Sequence, residues 1–250
     1  MTYCLGMLLK NGLIMIADTR TNAGVDNISS YKKLHILEQS DERTIVACTA
    51  GNLSVTQATF ALLREGLPPG EEFDEPRFLK DMPNMHRAAQ LVGEALQITR
   101  DNIQETAGDS QYDFGASMLL GGRITGRPLR LFHIYRVGNF ISCQPDRPFL
   151  QIGETKYGKP ILDRALDYET ELDEAMKIGL ISFDSTMRSN LGVGRPLDLV
   201  VLPTDETMPP MIRRIEETDS YFNDLSSKWA LALAQARATI PMPPFMESQD

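Results

Sequence analysis

Apolar positions dominate the start of the chain: Tyr3-Cys4-Leu5-Gly6-Met7-Leu8-Leu9 carries no charge before Lys10. A short apolar run of this kind predicts a strand buried on both faces. Lys10-Asn11-Gly12 reads as a hairpin turn, because Asn-Gly supplies the positive φ angles of a tight turn. The returning run Leu13-Ile14-Met15-Ile16-Ala17 ends at Asp18. With Asn11-Gly12 as a two-residue loop, Lys10 faces Leu13 and Asp18 faces Leu5. Asp18 then lies three residues along from Thr2, roughly 10 Å by strand rise and out of direct contact; a loop one residue longer would shift this register. Lys33–Leu37 and Thr44–Thr49 read as a third and a fourth strand. The fourth runs into Ala50-Gly51-Asn52, where a helix opens at Leu53 and extends to Arg64.

A loop rich in proline, glycine and acid spans Leu67 to Pro83, including Pro68-Pro69-Gly70-Glu71-Glu72. Next comes a helix from about Asn84 to Glu105, with Ala88, Val92, Ala95, Leu96 and Ile103 on one stripe. The second half shows strands at Ala116–Leu120, Leu129–Tyr135 and Phe149–Ile152, then helices at about Gly158–Tyr168 and Leu172–Phe183. A strand at Leu197–Leu202 closes the series. Strands, two helices, strands, two helices, strands: this order predicts an α+β fold in which two packed sheets carry helices outside both. Asp219 to Ala238 reads as an amphipathic helix with Tyr221, Phe222, Leu225 and Trp229. Pro241-Met242-Pro243-Pro244-Phe245 then ends it and is expected to run on extended. The terminal helix and tail either cap their own core or dock on a neighbouring subunit.

Composition narrows the function classes. A chain of 250 residues can bury a sizeable core, and we read residues 1–250 as a single domain with 219–250 as an extension. The net charge of −9, with no basic stripe, argues against nucleic acid as a partner. Cys4, Cys48 and Cys143 are far apart and form no CxxC pair, which predicts reduced buried thiols rather than zinc ligands. His35, His86 and His133 lack ligand spacing and read as structural. Neither a signal peptide nor an apolar run of membrane-spanning length is visible, so the expected location is cytoplasmic.

Thr2 is the candidate nucleophile. It is small enough for the initiator methionine to be removed, which would place a free α-amine beside its own hydroxyl, an arrangement that activates a weak nucleophile. The bland alternative is a small second residue and nothing more. Backbone N–H groups at the Gly51 turn and the following helix start are natural oxyanion donors. Thr2, Asp18, Lys33 and the Ala50-Gly51 turn, in that order, resemble a proteasome-type N-terminal nucleophile protease. Met1-Thr2-Tyr3, Ala17-Asp18-Thr19-Arg20-Thr21-Asn22-Ala23-Gly24 and the length near 250 are most similar to the bacterial ancestral β-subunit (Anbu) group. The resemblance covers residues 2 to 205 and is most specific in the first 52.

That resemblance implies a four-layer αββα sandwich and a threonine-type endopeptidase working inside a homo-oligomeric ring or helical stack. Two other classes stand beside it: a non-catalytic scaffold subunit of the same fold, and a small-amide hydrolase using the same threonine chemistry. Thr2 Oγ would attack the peptide carbonyl, Lys33 would depress neighbouring pKa values and Asp18 would hold Lys33, with Lys32 as the alternative lysine. Asp184 would hydrogen-bond the terminal amine, and Ser189 would do so through a longer loop, since Met187 stands where the family has serine. Many family members have Gly-Ser-Gly after the Phe149–Ile152 strand; here Gly153-Glu154-Thr155 puts a carboxylate in the serine's place. Substrates would be peptides or unfolded proteins. No cofactor or metal is implied, and any ATP-driven unfoldase would be a separate chain.

Overall fold

The computed structural model describes residues 1–22, 28–69, 75–107 and 113–246. Ala23-Gly24 and the Gly70-Glu71-Glu72 part of the Pro-rich loop lie outside the described residues. The chain opens with β1 (Tyr3–Leu9), β2 (Gly12–Asp18), the short strands β3 (Arg20–Asn22) and β4 (Ile28–Ser30), β5 (Leu34–Gln39) and β6 (Arg43–Gly51). Helices α1 (Leu53–Glu65) and α2 (Met85–Ala107) follow, then β7 (Ala116–Ile124), β8 (Arg130–Ile134), β9 (Phe140–Ser142) and β10 (Phe149–Gly153). After α3 (Lys159–Ala165) and α4 (Leu172–Ser189) come β11 (Leu197–Pro203), β12 (Met211–Ile215) and α5 (Ser220–Thr239).

Ten of these strands form two five-stranded antiparallel sheets, ordered β10-β1-β2-β11-β12 and β5-β6-β7-β8-β9. Cys4, Leu13, Met15 and Ala17 of the first sheet meet Leu34, Val46, Cys48, Leu119 and Leu131 of the second, which makes an apolar layer between them. On the outside of the second sheet, Val55 and Phe60 of α1 and Ala88, Val92 and Leu96 of α2 bury Ala47, Met118 and Phe132. On the outside of the first, α4 packs against β1 and β2, with Gly179 lying against Met7 and Ile16. The result is the expected αββα sandwich. Each fully buried leucine or isoleucine contributes about 1.5–3 kcal/mol by leaving water, so both helical layers and the sheet pair are strongly driven together.

The chain divides into two compact units, Met1–Glu216 and Glu217–Asp250. In the second unit, Asp219 caps α5 by accepting from the Phe222 N–H at 2.8 Å. Its tail does not simply run on extended, because Pro244–Met246 makes a 3-10 turn. Among the described residues no helix is long and apolar enough to cross a membrane.

Two departures from the sequence reading bear on function. The β1–β2 pairing sets Leu9 opposite Gly12 and Leu5 opposite Ile16, so the hairpin turn is Lys10-Asn11 and Gly12 already belongs to the strand. Gly12 is needed for close approach rather than for a positive φ: a β-carbon there would stand 2.7 Å from the Leu202 carbonyl oxygen on β11. Asp18 is thereby pulled two residues closer to Thr2 than predicted. Helix α4 continues six residues past Phe183, because Thr186 keeps the buried face going where Ser185 and Arg188 look polar. The short strands β3, β4, β9 and β12 were not foreseen, since runs of three residues, or one interrupted by Arg213-Arg214, show no readable period.

Candidate active site

The corrected register brings Asp18 level with the start of β1, where its Oδ1 accepts from the Tyr3 N–H at 3.0 Å. Lys33, just ahead of β5, donates to the same oxygen at 2.8 Å. The Lys33 ammonium also donates to the Arg20 carbonyl at 2.6 Å and to the Met1 carbonyl at 3.2 Å. Met1 O belongs to the peptide bond that precedes Thr2, so the ammonium reaches the site by direct contact. Asp18 is fully buried and Lys33 is 6% exposed. Burial pushes the Asp18 carboxyl above its ordinary range, against the Lys33 ammonium and the Tyr3 and Gly194 amides, which pull it down. Lys32 is exposed to solvent, so the structure separates the two lysines. The expectation that Asp18 stays about 10 Å from the nucleophile is corrected: it is bonded to the residue next to Thr2.

Gly51 ends β6 with φ +108°, a conformation that suits glycine. The strand end is tied toward β1 by Cys4, whose thiol lies 3.6 Å from the Thr49 carbonyl. Two first-turn amides of α1 are occupied, because Asn52 Oδ1 accepts from Ser54 and Val55. Two of the helix-start donors expected for an oxyanion, the Ser54 and Val55 amides, are therefore spent on the cap. Asp184 is buried on α4 and accepts from Arg188 at 3.0 Å. Ser189 is exposed in the last turn of α4 rather than placed in a loop. Its neighbour Asn190 turns towards β10 instead: Asn190 Nδ2 donates to Glu154 at 2.9 Å, and the Glu154 N–H donates to the Thr2 carbonyl at 2.7 Å.

Behind Thr2, the Tyr3 hydroxyl lies 2.5 Å from Ser182 Oγ and accepts from Gln151 Nε2 at 2.6 Å. Burial pushes the Tyr3 phenol up to about 12, although both hydrogen bonds pull the other way. This network locks the backbone that carries Thr2 to α4 and β10. Away from the site, His35 packs on Phe60 and His86 on Phe132 and Phe140, as structural histidines do. The three cysteines are free and buried. Among the described residues no three side chains are grouped to hold a metal ion.

Comparison with known proteins fixes the lineage. No family model matches the chain, and no curated protein matches it. Solved structures do. Anbu (ancestral β-subunit) from Yersinia bercovieri is 44% identical over 96% of this chain and 98% of its own, with a TM-score of 0.86. The chain belongs to the Anbu family. Anbu from Hyphomicrobium sp. strain MC1 is 47% identical over 96% of this chain and 99% of its own, with a TM-score of 0.86. The Pseudomonas aeruginosa protein, whose structure is described as a helical assembly of the Anbu complex, is 40% identical over 98% of this chain and 100% of its own, with a TM-score of 0.88. Membership accounts for the proteasome-like sandwich. Sequence reasoning missed Asn190, the Gly194 amide and the Arg20 carbonyl: backbone donors and acceptors leave no signal in the residue string, and Asn190 lies beyond the Leu172–Phe183 span read there as helix.

Proposed function

We propose that this Anbu chain is a threonine-type N-terminal nucleophile hydrolase that cleaves peptide bonds inside a homo-oligomer. The observation that carries the reading is the dry Asp18–Lys33 pair whose ammonium also bonds the carbonyl preceding Thr2. Once Met1 is removed, the Thr2 α-amine lies beside this ammonium, which disfavours a second positive charge and keeps the amine available as a base. The Thr2 hydroxyl gives its proton to that amine while Oγ bonds to the substrate carbonyl carbon. The carbonyl oxygen takes the negative charge, opposite the Gly51 amide. Collapse breaks the C–N bond as the ammonium returns the proton to the leaving nitrogen. Water, deprotonated by the same amine, then cleaves the resulting ester and restores Thr2.

Self-association follows from the family and from the surface. Tyr221, Leu231 and Leu233 on α5 and Ile240, Met242 and Phe245 after it are all exposed, and apolar surface of this extent is what a neighbouring copy covers. Intact mass should show that Met1 is lost, and a β-lactone should add one equivalent, mapped to Thr2. Light scattering at micromolar concentration should give a multiple of the chain mass. A mature chain that assembles but takes no label at Thr2 would favour the scaffold reading. Labelling accompanied by turnover of small amides but not peptides would favour the small-amide hydrolase.

A further inference from the structure

Glu154 is a buried carboxylate at the mouth of the site whose charge is only weakly answered. It is 9% exposed, and among the described residues the cation paired with it is Lys156, at 3.8 Å with most of its own side chain in solvent. That separation exceeds a hydrogen bond, and an exposed lysine at such range contributes little. Asp18 is answered by Lys33, and Asp184 by Arg188. Glu154 Oε2 is instead fixed by Asn190 Nδ2 at 2.9 Å, and Asn190 Oδ1 accepts from the Gly192 N–H at 2.9 Å. Gly192 lies against Met1: a β-carbon there would be 2.7 Å from Met1 Cβ. The end of β10, the C-terminus of α4 and the loop after it thus close around the Met1–Thr2 junction.

We propose that Glu154, held by Asn190, is the counter-charge of the Thr2 α-ammonium that removal of Met1 creates. The inference rests on the reading of Thr2 as the nucleophile. A buried carboxylate gains most from a cation that it can bond directly, and the new ammonium forms on Thr2, whose carbonyl accepts from the Glu154 backbone N–H and which lies opposite Glu154 at the end of the β1–β10 pairing. Of the charged groups packed around the Met1–Thr2 junction, Lys33 ahead of β5 donates to the Met1 carbonyl and Asp18 of β2 accepts from the Tyr3 N–H, while Asp184 and Arg188 pair with each other on α4 and Lys156 pairs with Glu154 after β10. Arg20, at the start of β3, donates to the Leu191 carbonyl at 3.1 Å. Lys33 pushes the amine towards its free base, and Glu154 opposes it. An ordinary α-amine titrates at about 7.7–8.0, and a direct carboxylate contact lifts it above that range. The serine that many family members carry there has no such charge, so this chain should hold its α-amine, the base for Thr2 Oγ, protonated to higher pH than they do, and its labelling should rise towards alkaline pH.

The test uses the full chain beginning at Thr2, released from a cleavable amino-terminal fusion, so that natural processing is not required. Trace acetylation of the α-amine by acetic anhydride, followed by mass spectrometry of the N-terminal peptide across pH, gives the amine midpoint whether or not the protein catalyses anything. Glu154→Gln should lower that midpoint by about one pH unit, and Asn190→Ala should lower it by less. The acid limb of β-lactone labelling should move with it, raising the rate about tenfold below the midpoint. Glu154→Ser serves as the second variant if the glutamine fails to fold. A midpoint unchanged in a variant with native circular dichroism overturns the assignment, as does labelling that drops at every pH without a shifted limb. A shifted amine midpoint with no labelling in any form would sink the nucleophile reading and leave the counter-charge standing.

Discussion

Two carboxylate–cation pairs sit on adjacent rungs of the first sheet, and their difference shows how a site is told from a strut. Asp18 lies opposite Leu197, while Asp198, one residue along β11, lies opposite Ala17. Asp198 is gripped by both Nε and Nη2 of Arg214, its cross-strand partner, at 2.7 and 2.9 Å. That guanidinium spends its fork on one acceptor and leaves 45% of its side chain in solvent. The Lys33 ammonium divides its three protons among Asp18, the Arg20 carbonyl and the Met1 carbonyl, with 8% of its side chain exposed. The first pair is closed. The second points past its carboxylate at the bond next to Thr2.

The sharpest break in this comparison is Asp18→Asn. It strands a buried ammonium, so urea unfolding should show a loss of about 3–5 kcal/mol. Lys33→Ala comes next: β-lactone labelling of Thr2 should fall about 10²–10³-fold, measured on protein whose circular dichroism is native. Lys33→Arg should fail almost as badly, since a rigid fork cannot reach three divergent acceptors. Lys32→Ala should label normally, and if it alone abolished labelling, the assignment of the lysine would be overturned.

Tyr3 gives a smaller effect with a pH signature. Its phenol is raised from 10 to about 12 in the folded state, so its protonated form is favoured by folding. That contribution is complete below pH 10 and is lost as pH rises from 10 to 12, about 3 kcal/mol by the standard conversion. Urea midpoints should therefore fall across that window, and Tyr3→Phe should flatten the fall while costing about 1–3 kcal/mol at pH 7 from the unpaired Ser182 and Gln151. The least effect is expected from Asp198→Asn, about 0–1 kcal/mol because its partner is half in solvent, with Thr2 labelling unchanged. A labelling defect there would erase the distinction between the two pairs.

The residue string by itself determined the layers. Apolar runs in β1, β2, β6 and β11 and the 3.6-residue stripes of α2 and α4 leave few ways to bury their surface, and the four-layer sandwich is the one they take. It also supplied Thr2, Asp18, Lys33 and Gly51 in order, which was enough to place the family. Tertiary structure decided what those residues touch. The close approach of Gly12 to β11 sets the hairpin register, and that register brings Asp18 to Tyr3; no local turn preference contains that information. Lys33 and Lys32 are equivalent as letters, and only the pairing of β5 with β6 buries one and exposes the other. Ser189 and Asn190 likewise differ by one position, and the C-terminus of α4 turns the first outward and the second onto Glu154. Periodicity records which face is buried, whereas a hydrogen-bonded site depends on separations of a few tenths of an ångström between segments 15 to 179 residues apart.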